Sequence, residues 1–264
     1  MEWQQDKKWE YFKEKWYHKS GIDLNLYKPT QMHRRINNFM ERIGMTDYDK
    51  FLEIVSKDKA LYNKFFEHLT INVTEFFRTP EKFDELEKSI IPELLKKSPK
   101  LRIWSAGCSI GAEPYSLAML LNDINPSASH SILATDLDVD MLTKARAGGP
   151  YAHNEIKNLP PNRVKKYLVK TDEGYKAIDE IKRKIEFKQH NLLKDRFETG
   201  FDLILCRNVV IYFTEEAKVV LYKNFFNALK TGGVLFVGGT EAILNFGDMG
   251  YTQIRPFFYQ KGIK

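Results

Sequence analysis

The sequence predicts an α/β protein: a mostly parallel sheet with helical crossovers, preceded by an all-α N-terminal region. Three observations predict it. Residues 1 to about 90 carry apolar positions at three- and four-residue spacing, with no strand-like alternation. From Leu101 onward, short apolar runs alternate with helical patterns, as right-handed crossovers between parallel strands require. The first of those runs leads through a glycine-containing turn into a helix, which is nucleotide-binding geometry.

In the N-terminal region, Gln31 to Ile43 shows the helical period best. Met32, Ile36, Phe39, Met40 and Ile43 share one face, Arg35, Asn38 and Arg42 line another, and Gly44 is placed to end the helix. Pro80 and Pro92 bracket a further helix, Glu81 to Ser89. Strands are expected at Leu101–Trp104, Ser131–Thr135, Phe201–Cys206 and Gly233–Gly238, with helices at Pro114–Ile124, Val139–Ala147 and Thr214–Leu229. Tyr251–Ile254 and Phe257–Gln260 read as a closing hairpin around Arg255-Pro256. The charged, β-like stretch Tyr167 to Lys188, with Gly174-Tyr175-Lys176-Ala177-Ile178 inside it, reads as a small insertion. The expected domains are therefore a helical one over 1–75, a linker helix over 76–95 and a sheet domain over 96–264, with the insertion at about 167–188.

Composition bounds the function. The chain has 264 residues, 43% of them apolar, enough to fill a core. A net charge of +6 favours an acidic partner but is common among enzymes. Cys108 and Cys206 form neither a disulfide framework nor a metal-ligand spacing, so free thiols and no metal are expected. The first residues lack the apolar core of a signal peptide, and no apolar run approaches the roughly 20 residues that span a bilayer. The expectation is a cytoplasmic protein with no direct membrane insertion, working as a monomer.

Four segments carry chemistry. In Arg102-Ile-Trp-Ser-Ala-Gly-Cys-Ser-Ile-Gly-Ala-Glu-Pro-Tyr-Ser116, Gly107 and Gly111 let backbone approach a ligand, and Pro114 fits a helix start. An ordinary βα turn would also use two glycines. The spacing is neither the dinucleotide fingerprint nor a P-loop, which counts against a pyrophosphate ligand. The next strand ends in Asp136, which either holds ribose hydroxyls or caps the following helix; Asp138 is better placed for the cap. Together these point to an adenosine-containing cofactor without a pyrophosphate, and S-adenosylmethionine fits. In Thr70-Ile-Asn-Val-Thr-Glu-Phe-Phe-Arg78, two adjacent Phe share space with several polar residues, a mixture that packing alone explains poorly. In Leu205-Cys-Arg-Asn-Val-Val-Ile-Tyr-Phe213, Arg207 and Asn208 interrupt an apolar run at a strand end, and Asn191 marks another strand end.

These segments, in this order, resemble the CheR family of chemotaxis receptor glutamate methyltransferases. The matching text is Thr70–Arg78, Trp104–Ser116, Ala134–Asp138, Asn191-Leu192-Leu193, Cys206–Phe213 and Gly232–Glu241, which spans nearly the whole chain. The resemblance implies a Rossmann-like class I methyltransferase sheet whose last strand is antiparallel, an all-α N-terminal receptor-recognition domain and a small three-stranded antiparallel insertion. It implies cofactor contacts from Asn72, Thr74, Arg78, Glu113, Asp136, Asn191, Leu192, Arg207 and Asn208, with Arg78 and Tyr212 close to methyl transfer. Arg78 would position the substrate as a cation, or bind the cofactor's own carboxylate; Tyr212 would donate a hydrogen bond. The family usually has Thr at the position of Ile110 and Glu at that of Ala112.

The implied reaction converts glutamate side chains on cytoplasmic receptor methylation helices to methyl esters, leaving S-adenosylhomocysteine. Lys28, Arg34, Arg35 and Arg42 would offer those acidic helices a basic face, unless they are simply a solvated helix surface. A nucleic-acid amine methyltransferase would carry Asn/Asp-Pro-Pro-aromatic where this chain has Arg207-Asn-Val-Val-Ile-Tyr, so no nucleic-acid partner is expected. An adaptor that binds cofactor without transferring methyl stays open at this point.

Overall fold

The computed structural model describes residues 6–70 and 74–262. The chain divides into two compact units, Met1–Ile71 with Tyr212–Val220, and Asn72–Ile211 with Leu221–Lys264.

The first unit holds helices α1 (Lys7–Ser20), α2 (Pro29–Arg42), α3 (Tyr48–Lys57) and α4 (Lys59–Thr70). Their ends follow local chemistry. Asp6 and Asp47 accept backbone N–H bonds at the starts of α1 and α3, and Gly21 ends α1 in the left-handed region. The helices enclose an aromatic core of Trp9, Phe12, Trp16, Phe39, Phe51 and Phe65, with Phe65 meeting Trp16 and Phe51 edge-on at 4.8 Å. Met32, Ile36, Phe39 and Met40 of α2 are buried as their spacing predicts. Ile43 is not: it is 38% exposed, because the helix ends at Arg42. Gly44 (φ +73) follows in a Schellman motif, with Gly44 N bonded to Glu41 O and Met45 N to Met40 O.

The second unit opens with α5 (Pro80–Glu85), a π turn (Leu86–Ile90) and α6 (Ile91–Lys97). Pro92 was expected to stop this helix but does not. The wider turn takes up the break, with Ile91 N bonded five residues back to Leu86 O. Nor is 76–95 a linker. Phe76, Phe77, Phe83, Leu86, Ile90, Ile91 and Leu94 join one core with the sheet residues, so this stretch is a layer of the second unit. The two units divide at Ile71/Asn72.

Strands and helices alternate through the rest: β1 (Arg102–Ala106), α7 (Ala112–Ile124), β2 (Ser131–Asp136), α8 (Val139–Ala147), α9 (Pro161–Tyr167), β3 (Leu168–Thr171), β4 (Gly174–Ala177), α10 (Asp179–Lys182), β5 (Ile185–Gln189), β6 (Phe201–Cys206), α11 (Glu215–Ala228), β7 (Leu229–Val237), β8 (Tyr251–Arg255) and β9 (Phe258–Lys261). The main sheet has seven strands in the order β5-β2-β1-β6-β7-β9-β8. Strands β5, β2, β1, β6 and β7 are mutually parallel, while β9 pairs antiparallel to β7 and β8. This is the Rossmann-like, mostly parallel sheet with an antiparallel closing edge.

The insertion is smaller than expected. It is the antiparallel pair β3–β4, to which Tyr151 adds one isolated bridge at Tyr175. Ile185–Gln189 belongs instead to the main sheet as its edge strand, paired with β2 from Ile132↔Ile185 to Asp136↔Gln189. An edge strand buries one face only, so its Ile-Glu-Phe-Lys-Gln alternation resembles a small exposed ribbon.

Candidate functional site

The parallel strands β1, β2, β5, β6 and β7 end along one edge at Ala106, Asp136, Gln189, Cys206 and Val237, the edge where sheets of this kind bind ligands. The segments that follow them in the chain carry Glu113, Asn191, Leu192, Arg207 and Asn208, and Asp136 ends β2 itself.

The turn after β1 is drawn onto the end of β2. Gly107 N and Cys108 N both donate to Thr135 O, and Ser109 N donates to the Asp136 carboxylate at 2.7 Å. Gly107 (φ +85) has to be glycine, because a Cβ there would meet Val209 Cγ2 at 2.5 Å. That approach fastens the β1 turn to the segment after β6. Asp136 is half-buried, and its other carboxylate oxygen accepts from Asp138 N at 2.9 Å. Asp138 itself caps α8, as its position predicts. Burial lifts Asp136 to about 6 in spite of those N–H bonds. Asn191 and Leu192 lie next to this group, since His190 N donates to Asp136 O. Asn191 closes an Asx turn by accepting from Leu193 N, and Leu192 is buried.

Arg207 and Glu113 form the second focus. Glu113 Oε1 accepts from Ser105 Oγ at 2.8 Å, and its Oε2 lies 3.4 Å from the Arg207 guanidinium. Burial pushes the Glu113 carboxyl up, and Arg207 opposes that shift. Arg207 is itself buried, over the rings of Phe83 and Phe236, and donates to Arg78 O at 2.7 Å and to Thr79 Oγ1 at 3.2 Å. Its Nε finds no partner among the described residues. Its visible work is to hold the loop that carries Arg78.

Phe76 and Phe77 anchor that loop. Phe76 is buried edge-on to Tyr151, and Phe77 N donates to Ser116 Oγ on α7 at 2.9 Å. Phe77 (φ +48) and Thr79 (φ +64) flank Arg78 in the left-handed region. Non-glycine residues adopt it at a cost of about 1–3 kcal/mol each, and such positions cluster at functional sites. Ser109 (φ +47) and Asn208 (φ +60) do the same beside the turn and after β6. Thr74 is half-buried at the start of the loop; Asn72 lies outside the described residues.

Glu241 was not picked out from the sequence. It is buried after β7, and its carboxylate accepts from Asn208 N (2.6 Å), Gly238 N (2.8 Å) and Val210 N (2.9 Å). It thereby shapes the β6 and β7 ends together. The legible signal was Gly238-Gly239-Thr240-Glu241, an acidic residue just beyond a buried strand. Ile110 and Ala112, the two departures in the turn, are buried in the apolar core, and Ile110 O accepts from Tyr151 OH. The turn is held here by packing, without a hydroxyl or a charge at either position.

The remaining predicted residues belong to the helical unit. Tyr212 falls in it, with its carbonyl accepting from Lys28 N at 2.8 Å. Arg34 and Arg42 are exposed on α2. Arg35, expected on the basic face with them, instead turns inward. Its guanidinium donates to His68 O, and His68 Nε2 is 3.0 Å from Arg35 O.

Two acidic groups of the second unit fit parts of S-adenosylmethionine. Asp136 offers a carboxylate for ribose hydroxyls beside a glycine turn, and Glu113 an anion for an ammonium group. Among the described residues, no group of three or more His, Cys, Asp or Glu could hold a metal ion, and no helix is long and apolar enough to cross a membrane.

Comparison with known proteins agrees. Residues 7–70 match the CheR methyltransferase all-alpha domain and residues 72–254 the CheR methyltransferase SAM-binding domain. These matches meet where the two units divide. The chain is 43% identical over 242 residues to a chemotaxis protein methyltransferase of Listeria innocua, covering 91% of this chain and 92% of that one. It is 35% identical over 239 residues to chemotaxis protein methyltransferase 1 of Pseudomonas aeruginosa, covering 86% and 87%. With the chemotaxis protein methyltransferase of Escherichia coli it shares 32% over 235 residues, covering 85% and 80%. With both units matched, the chain belongs to the CheR family of S-adenosylmethionine-dependent methyltransferases.

Proposed function

We propose that this chain methylates glutamate side chains on the cytoplasmic methylation helices of chemoreceptors, working as a cytoplasmic monomer, with Arg78 and Tyr212 serving the transfer. The family carries the class of reaction. The observation that best supports the role of Arg78 is the pair of left-handed residues holding it, Phe77 and Thr79, with Arg207 bonded beneath.

Bound S-adenosylmethionine supplies a methyl group made electrophilic by its sulfonium. The chain's own task is positioning. A glutamate carboxylate is ionised at neutral pH and needs no general base. What it needs is alignment and exclusion of water, which are worth several orders of magnitude in rate. Arg78 supplies a cation for a carboxylate and Tyr212 a hydroxyl donor. Asp136, Asn191 and Leu192 would hold the adenosine, and Glu113 the ammonium of the amino-acid part. Thr74 and Asn208 would complete the wall, with Arg207 shaping it from beneath, and the family resemblance adds Asn72 to the cofactor contacts.

Incubation with radiolabelled S-adenosylmethionine and receptor-containing membranes is expected to give base-labile methyl groups on receptor. Arg78→Ala should lower kcat by about 100-fold, in line with lost positioning. Cofactor binding without base-labile label would instead identify an adaptor. In the same assay, Arg34→Glu with Arg42→Glu should raise KM for receptor and flatten its dependence on salt. An unchanged KM would remove this face of α2 from the docking surface.

A further inference from the structure

The segment Tyr212–Phe213–Thr214 is built into the helical unit as an added strap. Lys28 N donates to Tyr212 O at 2.8 Å, and Thr214 N donates to Leu26 O at 2.9 Å. Between those bonds Tyr27 and Phe213 form an isolated antiparallel bridge. Their rings meet edge-on at 5.2 Å, with an interplanar angle of 87°. Phe213 is buried and Tyr27 half-buried, so the ring contact is a packed one. The partner stretch is itself rigid: Leu24–Leu26 is a 3-10 turn capped by the Asp23 side chain, and Leu24 is buried. It leads directly into α2. The two backbone bonds and the Phe213 ring contact hold the backbone of the strap, from which the Tyr212 side chain extends.

We propose that Tyr27 is a positioning residue for methyl transfer: with the backbone of Leu26–Lys28 it fixes the Tyr212–Thr214 strap and so the Tyr212 hydroxyl. This rests on the reading of Tyr212 as the hydrogen-bond donor of the reaction. Tyr27 touches no reacting atom in this scheme and acts through Tyr212.

The test is a double-mutant cycle with steady-state kinetics on receptor and calorimetric titration of S-adenosylhomocysteine. Tyr27→Ala is expected to lower kcat by about 10- to 100-fold, the usual consequence of displacing a catalytic group by about 1 Å. Its affinity for S-adenosylhomocysteine should stay within about twofold of wild type, because uniform binding is untouched. Tyr27→Phe, which keeps the ring contact, should restore kcat to within about threefold of wild type. Placed on Tyr212→Phe, Tyr27→Ala should cost little more, because both act through one hydroxyl. Losses that multiply in the double variant overturn the role of Tyr27 and leave that of Tyr212 standing. An unchanged kcat in Tyr212→Phe alone overturns the reading of Tyr212, and the role of Tyr27 with it. Should Tyr27→Ala fail to fold, Phe213→Leu takes its place, keeping apolar bulk while removing the ring contact from the other side.

Discussion

Asp136→Asn is expected to weaken binding of S-adenosylmethionine and S-adenosylhomocysteine by about 10- to 100-fold, and to abolish the dependence of that binding on mildly acid pH. Hydrogen bonds to a charged acceptor are worth about 1.5–3 kcal/mol each, and 1.4 kcal/mol is tenfold in affinity. The amide keeps the shape of the side chain but turns one acceptor into a donor, which would then face either a backbone N–H or a ribose hydroxyl. The pH dependence follows from the value of about 6 to which burial lifts this carboxyl. Ribose hydroxyls donate to the ionised form, so ligand binding lowers that value and releases a proton. Affinity therefore falls as pH drops through about 6, by up to a decade per pH unit, until the pKa of the bound state is reached. Without ligand the sign for stability is the opposite of the usual carboxylate case. The folded value lies above the unfolded one, so stability from this group is lost as pH rises from about 4 to 6. Titration calorimetry with S-adenosylhomocysteine between about pH 5 and 8 reads the change in affinity. A wild-type affinity that stays flat across that range would sink the assignment of Asp136 to the ribose.

Glu241→Ala is expected to lower the melting temperature by roughly 6–12 °C and to weaken cofactor binding along with it. The substitution leaves the N–H groups of Asn208, Val210 and Gly238 without their acceptor in a buried place. Each unpaired group costs about 1–3 kcal/mol. The costs do not add fully, so about 3 kcal/mol is the expected sum, at roughly 2–4 °C per kcal/mol for a chain of this size. Glu241→Gln keeps one acceptor oxygen and should fall between the two. Cofactor affinity is drawn in because the same segment presents Val209 to Gly107, so a shifted β6 end moves the glycine turn. Scanning calorimetry with and without S-adenosylhomocysteine measures both losses. A variant with unchanged melting temperature and affinity would remove Glu241 from the framework of the site.

Glu241 also marks where sequence reading stopped. Residues whose role depends on near neighbours were legible. The buried face of α2, the helix Val139–Ala147 with its Asp138 cap, the strand Phe201–Cys206 and the acidic end of β2 all stand where local pattern puts them. Each rests on a period, a cap or a short run of apolar residues, information carried within a dozen positions. The resemblance added the family and the order of the site segments, because motifs persist where function requires particular side chains.

Tertiary structure decided the rest. Arg207 bonds Arg78 O 129 residues away and faces Glu113 94 residues away, so no local pattern could show that it braces the loop from within. Arg35 shares a helix with Arg34 and Arg42, yet it turns inward to a carbonyl 33 residues distant on α4. The run through Pro92 continues because a π turn and a shared core absorb the break, which a rule about proline alone cannot foresee. Ile185–Gln189 looked like part of an insertion and became a sheet edge once β2 offered it a partner. The sequence by itself determined the element types, the α/β class and the kind of chemistry. Which polar groups meet at the carboxyl edge, and which unit carries Tyr212, was decided only when distant backbone groups found their hydrogen-bond partners, since buried N–H and C=O groups must be paired wherever the chain brings them.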